Sequence, residues 1–266
     1  GLGFISRFED SPYEGGGTRR DLIPLYLYEG ERFFLSADRA GFKLVNDDEH
    51  RVDVFLARRL EGFPEEEVTP ELEYMEFRLP GVDMGLAYRY QQPWGTLRAS
   101  ALTDVGDVSG GSELRMGYSR DWRGERWVLR PDISVSWRDA NLNNYYYGVA
   151  ENEATLERPA YEPGSGFNVT LGIYGSYGFW DNWRLLGGVS VTSLDSGITD
   201  SPIVRDGLQP AIYVGAVYDF GTAIARWDDD GVPLLVKAFY GRASGEGCHM
   251  ARIMTLQCTS LDHENP

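Results

Sequence analysis

Apolar and polar residues alternate with a period of two along much of the chain. Over residues 126–138 one set of positions is wholly apolar, comprising Trp127, Leu129, Pro131, Ile133, Val135 and Trp137. The intervening positions are mostly charged or hydroxylic. The same alternation recurs over residues 82–91, 167–179 and 183–192. This period predicts β-strands with one face against an apolar phase and the other against a polar one.

The predicted strands are long, and their apolar faces begin and end on aromatic residues. Strands of 10 to 13 residues exceed the length common in soluble sheets and match a tilted strand that crosses a bilayer. Trp127 and Trp137 end one apolar face, and Phe167 and Phe179 end the next. Aromatic rings at strand ends suit the headgroup region of a membrane. A soluble sandwich shares the period, but these features favour an all-β antiparallel transmembrane β-barrel.

About twelve strands are predicted, at residues 2–8, 22–28, 31–37, 42–46, 51–60, 82–91, 95–104, 112–121, 126–138, 166–178, 182–194 and 210–220. Tight connections at 29–30, 47–50, 92–94, 122–125 and 179–181 alternate with longer ones, and both barrel ends are expected in the periplasm. The number of strands within residues 31–46 is ambiguous. Merging their two strands would give eleven and spoil the alternation, and ten strands is the fallback.

The stretch from residue 209 to 220 resembles the closing strand of bacterial outer-membrane barrels. The residues that carry this signal are Tyr213, Gly215, Tyr218 and Phe220. The strand is predicted to pair with the first one and so to remove the open sheet edge. Residues 1–220 then form the barrel. Residues 221–266 are expected to be a periplasmic tail or the truncated start of a second module.

Composition and charge exclude several functions. The formal net charge of −16 argues against a nucleic-acid partner, since binding to phosphates needs clustered Lys and Arg. The sequence contains no run of about 18 apolar residues, so no membrane-spanning helix is predicted. No signal peptide is present, as expected of a mature secreted chain or an excised domain. Cys248 and Cys258 could form one disulfide.

Catalytic chemistry has little support. Three histidines are present, and no nucleophile elbow, H-E-x-x-H helix or Cys/His metal spacing occurs. We therefore predict no enzyme activity, no catalytic residue, no metal site and no cofactor. His249 and Ser260 near the cysteine pair leave lipid acyl hydrolysis in a C-terminal module as a distant hypothesis, which predicts loss of any activity on His249→Ala.

Charges of both signs occupy the polar face of the predicted strands. The main ones are Arg89, Arg98, Arg115, Arg126, Arg130, Asp132, Arg138 and Arg184, with Asp53, Arg59, Asp83, Asp104, Glu113 and Asp121 beside them. Cross-strand ion pairs would satisfy them in a narrow polar lumen. A filled, structural lumen is favoured over a solute pore with an arginine-lined constriction, because these side chains leave little free bore.

Two loops carry distinctive residues. The Tyr cluster at 145–149 is expected to pack over the barrel mouth, although contact with a ligand is the alternative. Residues 61–80 hold seven glutamates, which favours a solvated loop over a site for a cation or cationic peptide.

Several segments, spread in order over residues 1–220, resemble the MipA/OmpV family, the MltA-interacting proteins of Gram-negative outer membranes. They are YEGERFF, DVSGGSELRMGYS, NNYYYGVAENEA, RPAYEPGSG, DNW, DSPIV and the final YDF. The resemblance implies an outer-membrane β-barrel in contact with lipid. It also implies a scaffold for cell-wall enzymes, such as a periplasmic lytic transglycosylase and a murein synthase. A porin-like channel for small solutes is the alternative.

Overall fold

One antiparallel sheet of 14 strands forms the body of the protein in the computed structural model, which describes residues 1–26, 28–36, 38–63, 69–180, 182–218, 220, 223–227 and 233–237. The strands are β1 (Leu2–Asp10), β2 (Thr18–Tyr26), β3 (Tyr28–Glu29), β4 (Phe33–Leu35), β5 (Arg39–Asn46), β6 (His50–Arg58), β7 (Val82–Gln92), β8 (Gly95–Asp104), β9 (Ser112–Ser119), β10 (Trp122–Arg123), β11 (Trp127–Arg138), β12 (Gly166–Trp180), β13 (Trp183–Ser193) and β14 (Leu208–Tyr218). Two helices, α1 (Ala140–Tyr147) and α2 (Ser196–Thr199), lie in the connections. β15 (Ala223–Trp227) and β16 (Pro233–Lys237) pair in a separate hairpin.

The two ends of the sheet are neighbours along the chain. The hydrogen-bonded path starts at β2, passes through β1 and β14, and then descends strand by strand to β3, with β10 beside β11. Its two ends, β2 and β3, are separated in sequence by one residue. Arg19 of β2 also donates to the backbone oxygen of Leu60, just after β6, at 3.4 Å. The predicted all-β antiparallel barrel is therefore confirmed.

The strand count is the main difference from the sequence-based prediction. Each of the twelve predicted strands overlaps an observed one, and the two additional strands, β3 and β10, have two residues each. β10 extends the hairpin at a predicted tight turn, where Trp122 pairs with Leu129. β4 and β5 pair with each other, Phe33 opposite Phe42, so residues 31–46 do not form one merged strand.

Most of the short connections lie at one end of the sheet and the long ones at the other, whereas the short connection between β4 and β5 lies with the long ones. We call the end with the connections at 30–32, 47–49, 93–94 and 181–182 the turn end; it also holds Leu2 and Tyr218. We call the other the loop end, where residues 11–17, 59–81, 105–111, 139–165 and 194–207 connect the strands. This separation agrees with the predicted alternation. A periplasmic position for the turn end stays a prediction.

The two faces of each strand differ as the period requires. Outward side chains such as Leu171, Ile173 and Val189 are exposed, whereas inward polar ones such as Arg98 and Asn168 are buried. A barrel in lipid needs an apolar outside and a satisfied polar inside. Among the described residues, no helix is long and apolar enough to span a membrane.

The last strand of the barrel pairs with the first. β14 runs antiparallel to β1 from Leu2 opposite Tyr218 to Glu9 opposite Ala211. The two strands approach so closely that a Cβ added at Gly215 would lie 2.4 Å from a backbone oxygen of β1. Any larger residue at this position would therefore push the seam between the strands apart.

Aromatic residues mark the turn end of this seam. The ring of Tyr218 lies 5.3 Å from Trp183 and 5.2 Å from Phe220, and Phe220 is exposed. Tyr213 is on the inner face and lines the lumen. That these residues act as an assembly signal stays a prediction. Truncation and substitution at the end of the barrel can test it.

A chain ending at Phe220 should still assemble into the outer membrane, because the complete β1–β14 ladder lies before that residue. Phe220→Asp or Tyr218→Asp should instead fail to assemble in cells, since an acidic side chain replaces an interfacial aromatic one. Heat-modifiable migration of the membrane fraction in gel electrophoresis measures this. Normal assembly of both Asp variants would contradict the proposed signal.

Candidate functional site: a capped lumen

Four long loops close the loop end of the barrel with a buried hydrophobic cluster, which we call the loop cap. Its buried members are Tyr13, Phe63, Leu72, Met75, Leu142, Tyr146, Tyr147, Val149, Leu194, Ile198, Ile203 and Val204. The cluster is shielded from water although it lies outside the strands. Its apolar surface therefore stabilises the closed arrangement of the loops.

Helix α1 supplies the centre of the loop cap. It begins after Asp139, whose side chain accepts a hydrogen bond from the backbone N–H of Leu142 at 2.9 Å and so caps the first turn. Tyr146 is fully buried and Tyr147 nearly so. Tyr13, from the first long loop, donates its hydroxyl to the backbone oxygen of Tyr146 at 3.1 Å. The Tyr cluster therefore packs over the barrel mouth, as the sequence predicts.

An ion pair ties two loops of the cap together. Arg78 contacts Glu153 at 2.8 Å, and Glu153 also accepts hydrogen bonds from the backbone N–H groups of Glu76 and Ala150. Burial opposes ionisation of Glu153, but the hydrogen bonds from Arg78 and from these two amides lower its pKa below the ordinary 4.5. The ionised form of Glu153 is thus favoured by the closed cap.

The loop cap should loosen in acid. A carboxyl group with a lowered pKa contributes stability above its ordinary pKa, and this contribution is lost as the pH falls through the lowered value. Amide hydrogen exchange in residues 139–165 should therefore accelerate, relative to the strands, when the pH is taken from neutral to below 4.5. Glu153→Gln should remove most of this dependence. An unchanged pH profile in that variant would contradict the assignment.

A buried ion network lies directly beneath the cap. Arg59 contacts three carboxylates, those of Asp83 at 2.7 Å, Glu113 at 2.8 Å and Glu61 at 3.1 Å. Arg138 contacts Glu61 at 2.7 Å. Burial opposes ionisation of Glu61, yet the guanidinium groups of Arg138 and Arg59 lower its pKa. The network fills the lumen where the loops meet the strands.

A polar cavity of about 220 Å³ remains between the cap, the ion network and the far wall of the lumen. Charged residues such as Arg7 and Glu9 line it. Uncharged hydroxyl and amide groups also line the cavity, namely Ser134, Ser136, Asn168, Thr170, Ser190, Thr192 and Gln209. Such a lining can hydrogen-bond water or a small polar solute. Among the described residues, no cluster of His, Cys, Asp and Glu could hold a metal ion.

Most of the charges predicted for the lumen lie on the inner face of the sheet. Three of them are buried, namely Arg98, Arg130 and Arg138. Four more are partly buried, namely Arg89, Arg115, Asp132 and Arg184. Arg98 pairs with Asp132, and Arg130 pairs with Asp121 at 2.5 Å. Arg126 is the exception, because it is exposed in the turn before β11.

Other residues of the lumen are not predicted from the sequence. Arg7 and Asp21 pair at 2.7 Å, and Lys43 and Glu29 pair at 2.5 Å, on strands whose alternation is weak. The sequence predicts a solvated loop for Glu61, but its carboxylate reaches into the ion network. Cys248, Cys258, His249 and Ser260 lie outside the described residues.

The chain is similar to several known proteins. The family model of MltA-interacting protein MipA matches residues 2–220. The MltA-interacting protein of Escherichia coli (strain K12) is 26% identical over 213 residues, which cover 79% of this chain and 86% of that protein. Outer membrane protein Omp26La of Vibrio anguillarum is 30% identical over 146 residues, which cover 55% of this chain and 57% of that one. Among solved structures, the NanC porin has a TM-score of 0.49 and 7% identity, covering 83% of this chain and 100% of that chain.

Proposed function

This chain belongs to the MltA-interacting protein MipA family of outer-membrane proteins, and from that premise we propose that it is a non-enzymatic barrel that docks periplasmic murein-remodelling enzymes. The loop cap is the observation that carries the proposal. A lumen closed by a buried cluster does not serve as a wide solute path, which leaves the outer surfaces of the barrel for function. With the turn end in the periplasm, its short turns are the surface that a periplasmic enzyme would meet.

The turn end carries features suited to protein binding. Trp94 and Trp122 are exposed in two neighbouring turns. The acidic turn 47–49 is next to the turn that holds Trp94, and the exposed Arg120 and Arg123 flank Trp122 in the chain. Trp and Arg are enriched among the residues that dominate binding energy at interfaces, and flanking charges of opposite sign orient a partner. We call this set the docking patch.

Direct binding tests the proposal. The purified barrel in detergent should bind a purified periplasmic lytic transglycosylase saturably at micromolar concentration. Trp94→Ala should weaken this binding about tenfold or more, as expected for a central aromatic residue of an interface. Tyr74→Ala is the control, because Tyr74 is also aromatic and exposed but lies at the loop end. An absence of binding at micromolar concentration would refute docking, and equal losses in the two variants would refute the docking patch.

A porin-like channel for small solutes is the second candidate. The polar cavity of about 220 Å³ in the lumen supports it. This function would require the loop cap to open, since Tyr146 and Leu142 are fully buried in the closed arrangement. Docking needs no such rearrangement, and we favour it for that reason.

A further inference from the structure

A row of neutral hydrogen-bonding side chains crosses the inner wall of the barrel beneath the loop cap. The row spans four neighbouring strands, each member directly opposite the next, from Ser134 of β11 through Thr170 and Thr192 to Gln209 of β14. All four side chains line the polar cavity of about 220 Å³. Inner positions elsewhere carry charges, such as Arg98 of β8. One part of the lumen wall is thus neutral but still able to form hydrogen bonds.

The charges that line the same cavity compensate one another. Three ion pairs contain most of them, namely Arg7 with Glu9 at 3.3 Å, Arg115 with Glu113 at 2.7 Å and Arg138 with Glu61 at 2.7 Å. A charged ligand would have to displace one of these partners or stay unpaired in a shielded site, and both are costly. The cavity therefore favours a ligand without net charge.

Several neutral groups of the lining have no protein partner. Among the residues that the structure describes, no group forms a hydrogen bond with the side chains of Ser134, Ser136, Ser190 and Gln209. A hydroxyl group can donate one hydrogen bond and accept two, and an amide side chain offers two donors and one acceptor. These side chains are partly shielded from bulk water, so their partners must come from the contents of the cavity. A ligand rich in hydroxyl groups supplies both donors and acceptors.

Two tyrosine rings give the cavity an apolar surface beside these groups. Tyr174 and Tyr213 both line it, and their ring centroids lie 5.8 Å apart. Tyr174 lies close against the wall, since a Cβ added at Gly188 or Gly172 would lie 2.5 or 2.7 Å from its ring. Glycine within a strand often marks such a close approach. Aromatic rings next to a few polar groups are typical of sites that bind small molecules with both C–H and hydroxyl surfaces.

We propose that this cavity binds one neutral monosaccharide. Its volume of about 220 Å³ exceeds the roughly 150 Å³ that holds benzene in an apolar cavity, so one six-membered ring with its hydroxyl groups fits. Tyr13 and Tyr147 of the loop cap also line the cavity, so local opening of the cap admits the sugar. The site is separate from the docking patch and does not depend on the docking function.

Equilibrium dialysis of the purified protein tests this site, in a detergent without a sugar headgroup. The probes are radiolabelled D-glucose and D-galactose, with D-glucuronate and D-galacturonate as their charged counterparts. At least one neutral sugar should bind saturably at millimolar concentration and at a single site. Its charged counterpart should bind about tenfold or more weakly, because the additional carboxylate finds no compensating charge in the cavity.

Substitutions in the lining assign the binding to the cavity. Gln209→Leu removes the amide group and should weaken binding about tenfold, the loss expected when a hydrogen-bonding partner is removed. Ser190→Leu fills part of the cavity and should abolish binding, which keeps the test informative if Gln209→Leu does not fold. Ser176→Ala is the control, because the Ser176 hydroxyl is buried on the same sheet but lies outside the cavity, so this variant should bind as the wild type does.

Three results would overturn the proposal. The first is a wild-type protein that binds neither neutral sugar. The second is equal binding of the neutral and charged sugars. The third is sugar binding that neither Gln209→Leu nor Ser190→Leu weakens.

Discussion

Arg59→Ala should destabilise the barrel by about 3–5 kcal/mol, the cost typical of removing one partner from a buried ion pair. Arg59 holds Asp83, Glu113 and Glu61 within 3.1 Å, and its side chain is 4% exposed. Without it, these carboxylates face one another beneath the loop cap. Urea unfolding and refolding of the purified barrel, followed by circular dichroism, measures the change in the free energy of unfolding.

Arg58 provides the matched control for this substitution. It precedes Arg59 in the chain but is exposed on the outer face, so Arg58→Ala should change the free energy of unfolding by about 0.5 kcal/mol or less. The contrast between two adjacent arginines separates the lost ion network from the general effect of losing positive charge. Equal small effects of both substitutions would show that the network adds nothing to the stability of the barrel.

Tyr146→Ala should open the loop cap while leaving the strands folded. Tyr146 is fully buried, and removing a buried aromatic side chain costs about 3–5 kcal/mol. Because the cap is a cluster of loops, this loss should appear as local opening. Amide protection in α1 should fall about a hundredfold or more, the factor that corresponds to such a loss, while protection in β12 stays unchanged.

Tyr145→Ala separates the cap from the neighbouring surface. Tyr145 is only partly buried, and its hydroxyl accepts a hydrogen bond from the backbone N–H of Leu79 at 2.9 Å. Its loss should reduce protection of α1 much less than that of Tyr146. Equal effects in the two variants, or unfolding of the strands in Tyr146→Ala, would contradict a locally assembled cap.

The strands could be predicted because their signal is local. The alternation over residues 126–138 directly indicates which side chains face inward and which face outward. The inward positions of Arg130 and Arg138 follow from it, because every second residue of a strand lies on the same face. β3 and β10 have two residues each, which is too short for an alternating pattern to be recognised in the sequence. The ambiguity over residues 31–46 has the same cause.

Apart from the Tyr cluster over the barrel mouth, the loop cap could not be predicted because its parts come from distant loops. Tyr13, Phe63, Tyr146 and Ile203 lie in four separate connections, and no sequence period links them. Helix α1 left one signal, the Asp139 cap, but the Asn-rich segment that follows has low helix propensity. Likewise, the alternation indicates that the lumen charges share one face of the strands, but it does not indicate which charges form ion pairs with one another.

The proposed docking function requires that the loops close this barrel and leave its turn end as the working surface. Planar-bilayer recording of the wild-type protein tests it most directly. The closed cap and the filled lumen predict no discrete conductance steps at moderate voltage. Reproducible steps from the wild-type barrel would contradict the closed lumen and establish the porin-like function in place of docking.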